Sequence, residues 1–551
     1  MIKSQVKAVV DRCFEKGLSL SLWSEKLRDR YTVEVPKHEG QGDFATNFAM
    51  VAAGIDKQNP RQIAAQFAEL AAEEASIVDR WEIAGPGFIN IFLKQDVWTS
   101  VLPVIEEQGE RFGLCEDGKG KKVLVEFVSA NPTGPLSVGH GRNAIIGDSV
   151  ARLLEATGFN VQREYYFNDA GRQMRVLGES TQARYFERLG MENNFPEDGY
   201  QGSYIYDIAQ AMIDKGGDTF KDAEVEVFKE HAKNAIFKEI DATLKRIGIR
   251  FDSYYNEHTL YEEGMIDDVV NTFKEKDLVY EKDQALWFKT SEFGQEQDRV
   301  IIKSSGEPTY RLPDIAYHRE KFRRGFDWMI NVFGADHIAT VPDVLAGVRA
   351  LGYDDELITV ILYQFVTLLR GGKQVKMSTR KATFVTIDEL VDEVGTDALR
   401  FFFLMRKADS QLEFDLDLAT KQSQENPVYY VQYAHARLCS IERQARELGV
   451  ECPDGDAVDL SMLQEAEEYG LLKTMADYPQ LVAGAAMDLA PHRLIFYLME
   501  LAGQFHSFYN KHKVLTDNVD RSQARLYLCR CLKTVLHNGL TLAGLSAPER
   551  M

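Results

Sequence analysis

The sequence predicts an α/β core of the doubly wound, Rossmann type, built on a parallel sheet and carrying a helical insertion. An α+β domain precedes it and an all-α domain follows. Three observations predict this. First, Lys122–Ser129 (KVLVEFVS) is a near-continuous apolar run of strand length, the pattern of a parallel strand buried on both faces. Second, Gly141–Thr157 sets Ile145, Val150, Leu153 and Leu154 at helical spacing, closes on Gly158 and passes into a second strand pattern at Val161–Phe167, a β–α–β unit. Third, strand-like runs return at Val300–Lys303, Trp328–Phe333 and Ile358–Leu369, after which the pattern from Thr386 to Met551 is almost wholly helical.

The chain has 551 residues, which at roughly 100–200 residues per domain predicts about three to four domains. Hydrophobic residues make up 45% and charged residues 27%, which excludes collagen, disordered tails and disulfide miniproteins. The net charge of −21 gives no global pull toward nucleic acid or anionic membranes, although a local basic surface can still bind a polyanion. Six scattered cysteines (13, 115, 439, 452, 529 and 531) form no CxxC pair and read as free thiols in a reducing compartment. The N-terminal MIKSQVKAVVDRCFEKG interrupts its apolar residues with charge, so it reads as an amphipathic helix and not as a signal peptide. No apolar run approaches the ~18 residues of a membrane helix. A cytoplasmic location follows as the expectation.

Residues 1–107 alternate helical patterns with short strand-like runs and form the N-terminal domain; 108–122, rich in glycine and lysine, reads as a linker. The catalytic α/β domain covers 123–385, with the charged helical insertion at about 170–295. Pro342 marks a helix start, and Gly371–Gly372 is a two-residue hairpin signal. Thr386 and Glu389 form a capping-box signature opening the helical domain of 386–551.

Glu126 is the sole charge inside the apolar run that follows Lys122 and lies near the strand's carboxyl end, where doubly wound sheets bind ligands. A carboxylate buried there needs a partner, either an internal cation or a cationic substrate such as a guanidinium. Gly139 and Gly141 flank His140 at a helix N-terminus, a place for phosphate, though turn glycines explain the same string. Lys373, Lys376, Arg380 and Lys381 follow the Gly-Gly turn as a basic loop that is either solvated or a second phosphate contact.

Ala130–His140 (ANPTGPLSVGH: Ala130, Asn131, Pro132, Thr133, Gly134, Pro135, Leu136, Ser137, Val138, Gly139 and His140) resembles the HIGH signature of class I aminoacyl-tRNA synthetases. Lys376-Met377-Ser378 resembles the start of their KMSKS loop. GDFATN at Gly42–Asn47, REYYFNDAGRQM at Arg163–Met174, GADH at Gly334–His337, TDALRFFFLMR at Thr396–Arg406, NPVYYVQYAHAR at Asn426–Arg437 and the terminal SAPERM resemble the arginyl-tRNA synthetase family in particular. The resemblance implies activation of L-arginine by ATP with Mg²⁺ to an arginyl-adenylate, then transfer to the terminal 2′-hydroxyl of arginine tRNA by a monomeric enzyme. It places Glu126, Ser129, Asn131, Tyr310 and Asp314 around arginine. Ser137, Gly139, His140, His337, Lys376, Met377 and Ser378 fall around ATP, with His140, Lys376 and Ser378 as catalytic groups. It assigns the N-terminal domain to the outer corner of the tRNA and the C-terminal domain to the anticodon. Asp314, following Pro313 in a first helical turn, is expected to be ionised.

Two positions depart from the pattern: Ser137 stands for the first histidine of HIGH, and Thr379 for the second lysine of KMSKS. Those departures keep open a catalytically silent, tRNA-binding paralogue, and a synthetase for another amino acid is the second rival. Tyr430 and Tyr433 share a helix face, for base stacking or for core packing.

Overall fold

Five parallel strands carry the centre of the molecule: β1 (Lys122–Glu126), β2 (Asn160–Phe167), β3 (Ser253–Asn256), β4 (Trp328–Gly334) and β5 (Ile358–Tyr363), in the spatial order β3-β2-β1-β4-β5. This is the doubly wound order, with β1 central, and ligands bind beyond the carboxyl ends where the winding reverses between β1 and β4. The computed structural model from which this is read describes residues 2–36, 38, 40–74, 77–375, 385–451 and 454–551. Val123, Leu124 and Val125 are fully buried, as a central strand requires.

Helix α1 (Val138–Ala156) crosses from β1 to β2 and is buried along most of its length. It can lie this close because Gly147 faces Phe127, where an added Cβ would sit 2.2 Å from the ring. Helices α2 (Arg311–Arg323) and α3 (Val341–Leu351) follow on either side of β4, with Pro342 in the first turn of α3.

Three features differ from the sequence expectation. Within the stretch read as helical, β3 joins the sheet edge; four residues, three of them half-buried, give too short an apolar signal to register. Arg299–Ile302 is a strand, but it pairs antiparallel with Ala285–Phe288 in a separate three-stranded sheet. The single run Ile358–Leu369 is two strands, because the chain leaves the sheet at Gln364–Phe365. There the Gln364 N–H donates to the Ala408 carbonyl (2.9 Å) and the Gln364 carbonyl accepts from Arg142 (2.7 Å). The second strand, Val366–Arg370, turns back through Gly371 and Gly372, both at positive φ, to pair with Lys373–Gln374. Its other edge pairs with Leu412–Asp415, a short strand in the otherwise helical C-terminal part.

Before the core, an antiparallel sheet of four strands packs with helices Ile2–Ser19, Phe48–Asp56 and Pro60–Glu74. The polar stretch between the two is tied down: Phe112 is buried against Tyr478, and Asn538 donates to the carbonyls of Gly109 (2.9 Å) and Phe112 (3.1 Å). Four long helices, Pro427–Glu447, Ala466–Met487, His492–Lys511 and Val519–Leu542, make up most of the C-terminal part. The capping box expected at Thr386 is present: Glu389 N–H donates to Thr386 Oγ1 (3.1 Å) and Thr386 N–H to Glu389 Oε2 (2.8 Å), opening α4 (Ile387–Val394). No described helix is long and apolar enough to cross a membrane.

Candidate active site

At its carboxyl end β1 sets Glu126 in register between Glu164 of β2 and Asn331 of β4. The chain then kinks, with Val128 at φ 65° and Ser129 at φ 41°. For a β-branched residue the left-handed region costs about 1–3 kcal/mol. The kink is held by Val128 N–H on Asn143 Oδ1 (2.7 Å) and by Tyr166 N–H on Ser129 Oγ (3.1 Å). It turns Ser129, which keeps some exposure, toward the crevice, while Glu126 behind it is 3% exposed. The internal cation that Glu126 required is Lys321 of α2, itself fully buried, at 2.6 Å.

The next acids stand without such a partner. Asp314, in the first turn of α2, forms no side-chain hydrogen bond or ion pair among the described residues, and its carboxyl is pushed up to about 8 by burial, then by the nearby charges of Glu126 and Glu257. The expectation that the helix start keeps it ionised is overturned. A helix terminus contributes about 0.3–1 kcal/mol, less than a poorly solvated site between two carboxylates takes away. Glu257, directly after β3 and 8% exposed, accepts from Tyr166 Oη (3.0 Å), and burial raises its carboxyl as well. Asp314 and Glu257 are thus two neighbouring acids with no ion-pair partner among the described residues, and a cation with several N–H donors would satisfy both. Glu257 was not identified from sequence; β3, the element that presents it, was itself invisible there, and SYYNE offered no motif.

Across the crevice Ser137 is the N-cap of α1, in extended conformation. Its N–H donates to His140 Nδ1 (3.2 Å), and burial lowers the imidazole's pKa. His140 is thus neutral with Nδ1 accepting, which leaves Nε2–H as a donor. At Gly139 an added Cβ would meet only Ser137 Oγ, at 3.7 Å, so its backbone faces open space at the positive end of a helix. Asn131, Thr133, Gly134, Pro135, Ser137 and His140 line one side of a cleft of about 590 Å³ whose other side is 197–204 of the insertion. Tyr204 fastens the two sides by donating to the Thr133 carbonyl (2.6 Å).

The remaining residues are more dispersed. Tyr310, N-cap of α2, is 73% exposed and so is not a packed aromatic. His337 lies after β4, exposed, with its ring 5.3 Å from that of Phe333. Lys376, Met377 and Ser378 lie outside the described residues, as do Thr379, Arg380 and Lys381. Both ends of that segment are placed by the structure. The hairpin before it is held by Gly371 N–H on Asp417 (2.5 Å) and by the Arg370–Glu393 ion pair (2.6 Å). The residues after it are knitted to the signature: Val138 N–H donates to the Val385 carbonyl (3.3 Å) and Ile387 N–H to that of Leu136 (2.9 Å).

Comparison with known proteins places the whole chain. Residues 1–93 match the arginyl tRNA synthetase N terminal domain, 106–415 the catalytic domain of class I (R) tRNA synthetases, and 431–551 the DALR anticodon binding domain. An arginine–tRNA ligase of Desulfotalea psychrophila is 63% identical over all of both chains, and one of Syntrophotalea carbinolica is 51% identical over 94% of each. Among solved structures, a putative arginyl-tRNA synthetase from Campylobacter jejuni superposes with a TM-score of 0.77 at 34% identity, covering 83% of this chain and all of that one. The Thermus thermophilus arginyl-tRNA synthetase shares the fold across both full chains, with a TM-score of 0.75 at 22% identity. With family models matched over most of its length and full-length identity of this order, the chain belongs to the arginyl-tRNA synthetases.

Proposed function

We propose that the chain ligates L-arginine to its tRNA at this crevice, in two steps. The arginine carboxylate attacks the α-phosphate of ATP in line, the bond to the β-phosphate breaks, and pyrophosphate leaves arginyl-adenylate. The terminal 2′-hydroxyl of the tRNA then attacks the activated carbonyl, and AMP departs. Mg²⁺ accompanies ATP as part of that substrate. The observation that carries the reading is the pairing of Asp314 and Glu257, acids without an internal cation among the described residues, with the open helix end at Gly139 and His140.

In this reading the guanidinium lies between Asp314 and Glu257, with Tyr310 over the entrance. Lysine lacks the planar fork of donors and would leave those groups unpaired, a loss on the order of 10⁴ in selectivity. The backbone of Gly139 and Nε2–H of His140 hold the phosphates and ribose of ATP, and His337 lies toward its adenosine. Ser137 serves as cap and hydrogen-bond partner to His140, which needs no imidazole at that position. Lys376 and Ser378 steady the pyrophosphate. The N-terminal domain meets the outer corner of the tRNA and the C-terminal helices meet its anticodon. There the Tyr429 and Tyr433 rings stack at 6.0 Å with Arg437 over Tyr433, while Tyr430 packs on His506 at 4.5 Å. The enzyme works as a monomer in the cytoplasm.

The test is arginine-dependent ATP–pyrophosphate exchange, with and without arginine tRNA and with lysine as control. Exchange with arginine alone among the amino acids supports the reading. Absence of exchange under every condition, with tRNA still bound, would replace it with the silent paralogue.

A further inference from the structure

Behind the crevice lies a buried polar chain that the reaction above does not use. Lys321 Nζ donates to Glu126 Oε2 (2.6 Å) and to Asn331 Oδ1 (2.8 Å), and lies 4.3 Å from the centre of the Tyr317 ring. Asn331 Nδ2 meets His318 Nε2 at 2.9 Å, and His318 Nδ1 meets the Asp314 carbonyl at 2.7 Å. A carbonyl can only accept, so His318 donates from Nδ1 and accepts at Nε2. It is neutral, as burial and the Lys321 charge also require. Every polar atom along the chain has its partner, and Lys321 in particular is 0% exposed.

The other end of this chain emerges at Ser129. Glu126 Oε1 accepts a hydrogen bond from Ser129 Oγ at 3.0 Å, and Ser129 Oγ in turn accepts from Tyr166 N–H at 3.1 Å. A serine hydroxyl has one proton and two lone pairs. The proton is committed to the carboxylate and one lone pair to the backbone, so only a lone pair faces the crevice. Two residues on, Asn131 Nδ2 donates one of its two protons to Gln173 Oε1 (2.5 Å), which orients the amide and leaves Oδ1 as an acceptor. A serine acceptor whose only proton is spent inward, with the Asn131 amide oxygen two residues on, is suited to a cation with several N–H donors. The guanidinium is already matched by Asp314 and Glu257, which leaves the α-ammonium of the amino acid.

We infer that Lys321 is a positioning residue for the substrate's α-ammonium group, acting through Glu126, whose charge it holds in place so that Ser129 presents an acceptor. The inference rests on the arginine reading of the site. Glu126 thereby acts from behind Ser129 and does not itself touch the substrate. Loss of the Lys321 charge frees the Glu126 carboxyl to turn, and the Ser129 proton is then free to swing toward the crevice, where it meets an ammonium head-on.

The experiment measures binding to the whole chain, wild type and Lys321→Met, by titration calorimetry with two ligands. One is L-arginine; the other is 5-guanidinopentanoate, which is arginine without its α-amino group. Arginine should bind Lys321→Met about 10–100-fold more weakly, the span of one hydrogen bond to a charged group, while 5-guanidinopentanoate binds both proteins alike. Equal loss of both ligands, or of neither, would overturn the inference, because a merely structural lysine does not distinguish them. Should Lys321→Met fail to fold, the double variant Glu126→Gln/Lys321→Met removes both buried charges together, a change that buried pairs tolerate far better. It should fold and keep the loss confined to arginine; full recovery of arginine binding would refute the role. A wild type that binds neither ligand would overturn the arginine reading and this inference with it.

Discussion

On the proposed reading of the site, Asp314 makes the binding of a guanidinium a proton-releasing event. Its carboxyl titrates at about 8 in the free protein, raised by burial, then by Glu126 and Glu257, and lowered by Lys321. At pH 7 the protonated form outnumbers the carboxylate by about tenfold, so only about one molecule in eleven is ready to pair with a cation. A ligand that requires the carboxylate therefore binds about tenfold more weakly at pH 7 than on the plateau above pH 9, and its dissociation constant falls about ninefold from pH 6 to 7 and about fivefold from pH 7 to 8. 5-Guanidinopentanoate is the ligand of choice, because neither of its charged groups titrates in that range. Calorimetry at pH 7 in two buffers of different ionisation enthalpy should report release of about 0.9 proton per ligand bound. Asp314→Asn should bind weakly at all pH values and release no proton from this position. Affinity that stays flat from pH 6 to 8, with no proton exchanged, would refute the reasoning. The same shift has a consequence for stability. Because the folded protein holds this proton more tightly than the unfolded chain, stability without ligand declines as pH rises from the ordinary carboxylate range to about 8. Asp314→Asn should then raise the melting temperature of the free protein at pH 8.5, and do so less at pH 5.

Other positions make separate claims. Gly139→Ala adds a methyl group that meets no atom closer than 3.7 Å, so melting should be unchanged while pyrophosphate exchange falls about 10²-fold through loss of close phosphate approach; equal effects on both would place the glycine in the fold alone. Arg400, fully buried, joins Asp148 of α1 (2.6 Å) to the carbonyls of Ile247 (3.0 Å) and Ala543 (3.2 Å). Arg400→Leu should destabilise by about 3–5 kcal/mol in denaturant unfolding, the cost of stranding a buried partner, and a loss under 1 kcal/mol would show that Arg152 suffices for Asp148. Thr386→Ala removes the cap of α4 and should cost about 1 kcal/mol, read from the same unfolding curves. Binding of arginine tRNA should weaken steeply with added salt as phosphate contacts are screened, and salt-insensitive binding would rule out an electrostatic footprint on this acidic chain.

What the sequence made legible, and what it hid, follows from the range of the interactions concerned. The β1–α1–β2 unit, the glycine hairpin and the Thr386–Glu389 cap could be read directly, because each is specified by neighbours within a few residues. Strand β3 could not: its four residues gain their place only by pairing with β2, across about 90 residues of chain. Glu257 was hidden for the same reason. The break at Gln364–Phe365 was equally silent, since it is imposed from Arg142 and Ala408, both distant in sequence.

The charges of the site divide along the same line. An isolated glutamate in an apolar strand shows that a cation is needed, and nothing local says which one. Lys321, 195 residues away, supplies it, and on the reading proposed above cation recognition falls to Asp314 and Glu257. Asp314 shows the reverse case. Its local setting, a proline and a helix start, argues for a carboxylate, and only the convergence of two other acids with burial argues for a proton. A sequence reading can therefore list the acids of such a pocket, whereas the order in which they are paired decides which of them the substrate meets as a charge.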